Sequence, residues 1–174
     1  MDLATDRAAL QLMTDDLEAY LLSEVDFWPL SGLRDYARLS LGIYSLTRQR
    51  LLAAPPSAKL TALNERGEAT LAHWRTNAEK KAAKEMRMRV RLWSGFVDVG
   101  RGRYATEVAQ RAMVGLLVSR YPRLRDLADG QRLATLDIRL RDKYPAGPFV
   151  WDAQLQPAFS ADEFWYLYRK GPSG

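Results

Sequence analysis

The chain has no cysteine among its 174 residues and only one histidine, His73. Without thiolates there can be no disulfide, no cysteine nucleophile, no zinc ribbon and no Cys-ligated iron–sulfur cluster. One histidine also excludes bundle di-iron sites, which need two Glu-x-x-His pairs. Long apolar runs are lacking too: Ala112 to Val118, the longest near the middle, is far short of the roughly 20 residues that span a bilayer. The opening Met1-Asp2-Leu3-Ala4-Thr5-Asp6 has neither the basic nor the apolar part of a secretory leader, so a cytoplasmic location is expected. There is no internal repeat and no low-complexity linker. What is left, 47% hydrophobic and 27% charged residues, is the composition of an ordinary globular protein. At this length a single domain over 1–174 is expected, burying about two-thirds of the unfolded surface.

Charge is plentiful and unevenly spread. Seven basic residues fall between positions 75 and 91 (Arg75, Lys80, Lys81, Lys84, Arg87, Arg89 and Arg91) against Glu79 and Glu85, a surplus equal to the +5 of the whole chain. Residues 1–35 carry the opposite sign, with eight acids and two bases. Arginine outnumbers lysine 20 to 6, a bias that genomic composition can produce, so basicity alone says little about a nucleic-acid partner.

Apolar spacing points to an all-α fold of about five helices around a long central one. Leu10, Met13, Leu17, Leu21 and Val25 recur at helical steps before Phe27-Trp28-Pro29 ends the segment. Ser40 is a candidate cap for a helix from about Leu41 to Ala53, stopped by Pro55-Pro56, and Ser57 can cap the next. The segment 34–39 fits helix or loop equally. The stripe Leu71, Trp74, Ala78, Ala82, Met86, Val90, Trp93 then marks the central helix, with Arg75 and Arg89 projecting awkwardly toward it. Met86 to Leu92 also alternates as a half-buried strand would, but no partner strand is evident and helix is preferred. Two further helices are expected at about 104–119 and 129–142, the second carrying Leu133, Leu136, Asp137 and Leu140.

Residues 144–174 hold eight of the 18 aromatics. Ser160-Ala161-Asp162-Glu163 matches a capping box, with Phe159 and Phe164 placed as a hydrophobic staple, so a short final helix from Ala161 to about Arg169 is expected, stopped by Gly171-Pro172. The ending Phe149-Val150-Trp151-Asp152-Ala153-Gln154-Leu155-Gln156-Pro157 followed by Phe164-Trp165-Tyr166-Leu167-Tyr168, together with Trp28-Pro29-Leu30 and Arg91-Leu92-Trp93, resembles a family of uncharacterised, mostly helical bacterial proteins. The resemblance implies a helical fold and carries no activity or functional residue. The tail itself reads as a segment packed back onto the helices, with a peptide-docking or base-stacking surface as the alternative.

Candidate chemistry is sparse. His73 projects to a polar face with no nucleophile or carboxylate locatable beside it. Asp15, Asp16 and Glu18 form a surface acidic run with no second cluster to complete a metal or acid–base pair. Gly100-Arg101-Gly102-Arg103-Tyr104-Ala105 matches G-x-G-x-x-A, but that fingerprint needs a preceding parallel strand, for which only 96–99 is available. A weaker reading keeps Arg101 and Arg103 as anion-binding groups beside a helix N-terminus. On the central helix, Lys80, Lys84, Arg87 and Arg91 cluster opposite the apolar stripe. Three readings stay open there: a solvated or internally neutralised face, in which the acidic N-terminal region offsets the charge; a site for an acidic protein partner; and a site for nucleic-acid backbone. The expected function is that of a non-enzymatic interaction or scaffold protein binding a protein partner, with nucleic-acid binding as the alternative. No catalytic residue, cofactor or metal site is expected.

Overall fold

The computed structural model describes residues 2–32, 36–100 and 102–171. The fold is mostly helical, with a single two-stranded ladder among the described residues, and the chain divides into two compact units, 1–85 and 86–174.

In the first unit, α1 (Leu3–Leu22) starts at Asp2, whose carboxylate accepts the Thr5 N–H at 2.7 Å. It buries Leu10, Met13, Leu17 and Leu21 as the spacing predicts; Val25 lies beyond the helix end and is exposed. After α1, β1 (Trp28–Pro29) pairs antiparallel with β2 (Arg38–Leu39), a ladder that the sequence did not signal. Leu39 and Arg38 thus resolve one end of the open 34–39 segment as strand; Arg34 lies outside the described residues.

The two predicted caps form. Ser40 Oγ accepts the Ile43 N–H at 3.3 Å to open α2 (Leu41–Arg50), which closes in one 3-10 turn, Leu51–Ala53. Ser57 Oγ accepts the Leu60 N–H at 3.2 Å to open α3 (Ala58–His73) after the Pro55-Pro56 stop. The contacts Asp15–Arg66 and Glu18–Trp74 run α1 and α3 in the same direction. Arg48, hydrogen-bonded to Asn64 and ion-paired with Glu68, and Tyr44 against Gly67 pack α2 onto α3.

Gly67 sits where α3 meets α2, and a methyl group there would collide with the hydroxyl of Tyr44, which has no solvent exposure. Gly67→Ala is therefore expected to destabilise the first unit by about 1–3 kcal/mol through overpacking. That outweighs the roughly 1 kcal/mol that alanine gains over glycine inside a helix. Urea denaturation checks it, and adding Tyr44→Phe should return part of the loss; a more stable Gly67→Ala protein contradicts the close approach.

The expected central helix is two helices. α3 stops at His73, Trp74 leaves helical geometry (φ −101°, ψ 36°), and α4 runs Arg75–Val99. Because the phase resets at residue 74, the projection drawn across it fails at that point. Trp74 is half-buried and Arg75 is exposed, pairing with Glu79 at 2.9 Å instead of facing the core. The rest of the stripe holds: Ala78, Ala82, Met86, Val90 and Trp93 are all fully buried, and Met86 to Leu92 is helical. Within the first unit α4 also supplies a cap at a distance. Buried Glu85 accepts the Ser40 hydroxyl at 2.6 Å and the Gly42 N–H at 2.9 Å, placing a carboxylate at the positive end of α2.

In the second unit, residues 86–99 of α4 lie beside α5 (Tyr104–Arg120) and α6 (Ala128–Lys143). Arg89–Gln110 and Trp93–Tyr104 contacts make α5 antiparallel to α4; Arg87–Asp129, Ser94–Arg132 and Asp98–Arg139 make α6 parallel to it. Arg89 does face inward as projected, and its Nη1 donates to Gln110 Oε1 at 2.7 Å. The aromatic tail packs onto α5 and α6. Tyr104 donates to the Tyr166 carbonyl at 2.6 Å, and the Trp151 indole donates to the Ala105 carbonyl at 2.7 Å. The predicted staple is present, with Phe159 and Phe164 ring centroids 4.9 Å apart, and Ser160 Oγ accepts the Glu163 N–H at 3.4 Å. The helix does not propagate beyond that turn, because Phe164 turns out of helical geometry (φ −107°, ψ 37°) as its ring enters the core. The chain continues as a 3-10 helix, Trp165–Tyr168. Gly171 follows; Pro172 lies outside the described residues.

Candidate functional site

The four candidate cations of α4, Lys80, Lys84, Arg87 and Arg91, divide between the units, and two of them meet a carboxylate locally. In the first unit Lys84 pairs with Asp26 at 2.8 Å, so the acidic N-terminal region does offset part of the basic stretch. Lys81 next to it lies against the Tyr20 ring and donates to the Val25 carbonyl at 2.7 Å. In the second unit Arg87 approaches Asp129 at 3.7 Å. Lys80 and Arg91 are exposed and have no ion-pair partner among the described residues.

The other acidic and histidine candidates are absorbed by packing. Asp15 pairs with Arg66, Asp16 accepts the Trp28 indole N–H, Glu18 accepts the Trp74 indole N–H, and His73 is exposed with its ring edge-on to Trp74. No cluster of three potential metal ligands occurs among the described residues. No helix among them is long and apolar enough to cross a membrane.

The glycine-rich segment is a helix stop rather than a dinucleotide loop. Residues 96–99 are the last turn of α4, so the strand that the fingerprint requires is a helix here. Gly100 donates to the Phe96 carbonyl at 2.7 Å with φ 72°, and Gly102 follows at φ 110°, left-handed conformations that glycine adopts without strain. The chain then enters α5 at Arg103, whose side chain makes no capping hydrogen bond, and the first-turn N–H groups of Tyr104 and Ala105 have no partner among the described residues. Arg101, the other half of the predicted anion pair, lies outside the described residues.

At this uncapped end of α5 the structure opens a cleft of about 610 Å³. Its lining comes from three segments of the second unit: Arg103, Tyr104 and Ala105 from α5; Pro148 and Val150 from the loop before Trp151; and Arg169, Lys170 and Gly171 from the end of the tail. The loop and the tail are held together by an antiparallel bridge between Ala146 and Arg169, with Gly147 N–H to the Tyr168 carbonyl at 2.9 Å and Lys170 N–H to the Pro145 carbonyl at 2.9 Å. Gly171 lets the tail pass directly over Tyr104, since a Cβ there would run into the ring.

Three of the eight lining residues are cations and none is acidic. Arg169 is the best fixed. Its Nη1 donates to the Tyr144 carbonyl at 3.2 Å, its guanidinium lies 5.1 Å from the Trp165 ring centroid, and its Nε is buried with no hydrogen-bond partner. Arg103 and Lys170 are exposed and have no ion-pair partner among the described residues. Glu107, in the same turn, has its carboxylate against Gly102 and is outside the lining. The helix N-terminus adds partial positive charge to that of the side chains. Nearby, burial pushes the Tyr104 hydroxyl above its usual range and that of Tyr166 up to about 12, so both stay neutral at physiological pH.

Of this site the sequence pointed to Arg103 and the helix N-terminus. Arg169, Lys170, Pro148 and Val150 were missed, because only the 146–169 bridge brings them there. The one local signal was the dibasic pair Arg169-Lys170 directly after the aromatic run.

The first unit has a buried acid of its own. Asp6 has no solvent exposure, accepts a 2.5 Å hydrogen bond from Tyr36 and lies 3.0 Å from Arg50 Nε. Burial raises its carboxyl above 3.8, against the lowering pull of Tyr36 and Arg50. The folded chain therefore holds this proton more tightly than the unfolded one. The contribution to stability is fullest at pH below 3.8 and is lost as pH rises through the folded value. Asp6→Asn should flatten that part of the profile; thermal denaturation from about pH 3 to 7 measures it, and an unchanged slope contradicts the assignment.

No family model, no curated protein and no solved structure matches the chain.

Proposed function

We propose that the protein is a non-enzymatic interaction protein that captures an acidic segment of a protein partner in the α5 cleft. The observation that carries this is the cleft lining: Arg103, Arg169 and Lys170 converge on an uncapped helix N-terminus with no acidic residue among them. The volume, about 610 Å³, suits a few residues of an extended chain. The α4 cations play a lesser part in this reading, because Lys84 and Arg87 already face Asp26 and Asp129.

Fluorescence anisotropy with a labelled Asp/Glu-rich peptide, and with single- and double-stranded oligonucleotides, tests it at about 50 mM salt. The peptide should bind, and Arg103→Glu with Lys170→Glu should weaken it at least about tenfold. Lys80→Glu with Arg91→Glu should leave it within about twofold. Absence of peptide binding sinks the proposal. Oligonucleotide binding that is tighter, steeply salt-dependent and sensitive to Lys80 and Arg91 replaces it with the nucleic-acid reading.

A further inference from the structure

The cleft has a second chemistry besides charge. Pro148, Val150, Ala105 and the Tyr104 ring give its lining an apolar side, and the cations come from Arg103 and the tail. Tyr104 is held by its hydrogen bond to the Tyr166 carbonyl, and the loop carrying Pro148 and Val150 is anchored at Val150, whose N–H donates to the Leu167 carbonyl at 3.0 Å. The apolar side is thus fixed before anything binds, and a ligand need not order it.

A purely ionic ligand, such as a run of acidic residues, would use the cations and leave the apolar side wet. A ligand with a carboxylate next to an aliphatic side chain would use both, removing its own apolar surface and that of Pro148 and Val150 from water. Arg169, steadied over Trp165 and by its Nη1 bond to the Tyr144 carbonyl, adds a held positive charge to the lining that a carboxylate would meet.

Resting on the acidic-partner reading above, we infer that the cleft selects a mixed motif: a carboxylate flanked by an aliphatic residue, on a protein segment. Charge brings the segment in; the apolar wall chooses among acidic segments. Pure polyanions are the ligands it discriminates against.

Two labelled peptides of identical charge test this, one with Glu flanked by Leu and Pro and one with Glu flanked by Gly and Ser. The aliphatic peptide should bind about tenfold more tightly. Val150→Ser should erase most of that preference, weakening the aliphatic peptide far more than the Gly/Ser peptide. Pro148→Ser, at an exposed position, should reduce it in the same direction. Arg103→Gln should weaken both peptides alike. Equal affinities for the two peptides, or a preference indifferent to both Val150→Ser and Pro148→Ser, overturn this inference while acidic-partner binding stands. If neither peptide binds, that reading fails and this one with it.

Discussion

Replacing Asp137 with alanine should cost the second unit about 3–5 kcal/mol, the usual penalty for stranding a buried charge. Arg111 is less than a tenth exposed and forks onto Asp137 through Nε and Nη2, both at 2.7 Å, with its guanidinium 4.3 Å from the Tyr166 ring centroid. Its Nη1 is buried without a partner, so Asp137 is the main compensation for the charge. With Asp137 gone, water must enter or the tail over Arg111 must lift, and the melting temperature should fall by roughly 10 °C. The double change Arg111→Met with Asp137→Leu should recover most of the loss, because a buried ion pair is about neutral against a well-packed apolar pair. Denaturant titration of the single and double variants checks this. A single variant within about 1 kcal/mol of the parent shows that the pair is dispensable.

Phe159→Ala should have an effect of similar size, about 3–5 kcal/mol, as expected for truncating a fully buried aromatic. Its ring has no solvent exposure and meets Phe149, Trp151 and Phe164, with centroids 6.2, 5.2 and 4.9 Å away. The tail aromatics are therefore part of the core of the second unit and not a loose stacking surface. The variant should also disturb the cleft, since Trp151 anchors to Ala105 from the same cluster. Near-UV circular dichroism and urea denaturation measure both effects; loss of less than about 1 kcal/mol is the contrary result.

The helices were legible where local chemistry decides them. Ser40 and Ser57 are caps with proline or apolar neighbours in the right places, and the stripe from Ala78 to Trp93 is buried as its spacing requires. Asp137 stands beside Leu133, Leu136 and Leu140 in its helix, but nothing in the sequence marks it as the partner of buried Arg111. Errors came where tertiary contacts override local preference. Nothing local ends α3 at His73; Trp74 leaves the helix with its indole bonded to Glu18, 56 residues away in sequence. The short β1–β2 ladder, with two residues per strand, is below what alternation can signal. The basic stretch drew attention by composition, but composition does not reveal which cations find carboxylates. Lys84 and Arg87 do, and Arg89 turns inward to Gln110. The cleft was half legible for the same reason: Arg103 stands at a helix start that sequence can locate, whereas Arg169 and Lys170 reach it through a bridge between residues 146 and 169.

The most direct test of the cleft is a titration of isotopically labelled protein with an acidic peptide, followed by backbone amide chemical shifts. The account predicts the largest shifts at Tyr104, Ala105, Val150, Lys170 and Gly171, with those of Lys80, Lys84 and Arg91 nearly unmoved. Shifts concentrated along α4 between Lys80 and Arg91, with the α5 N-terminus silent, contradict it.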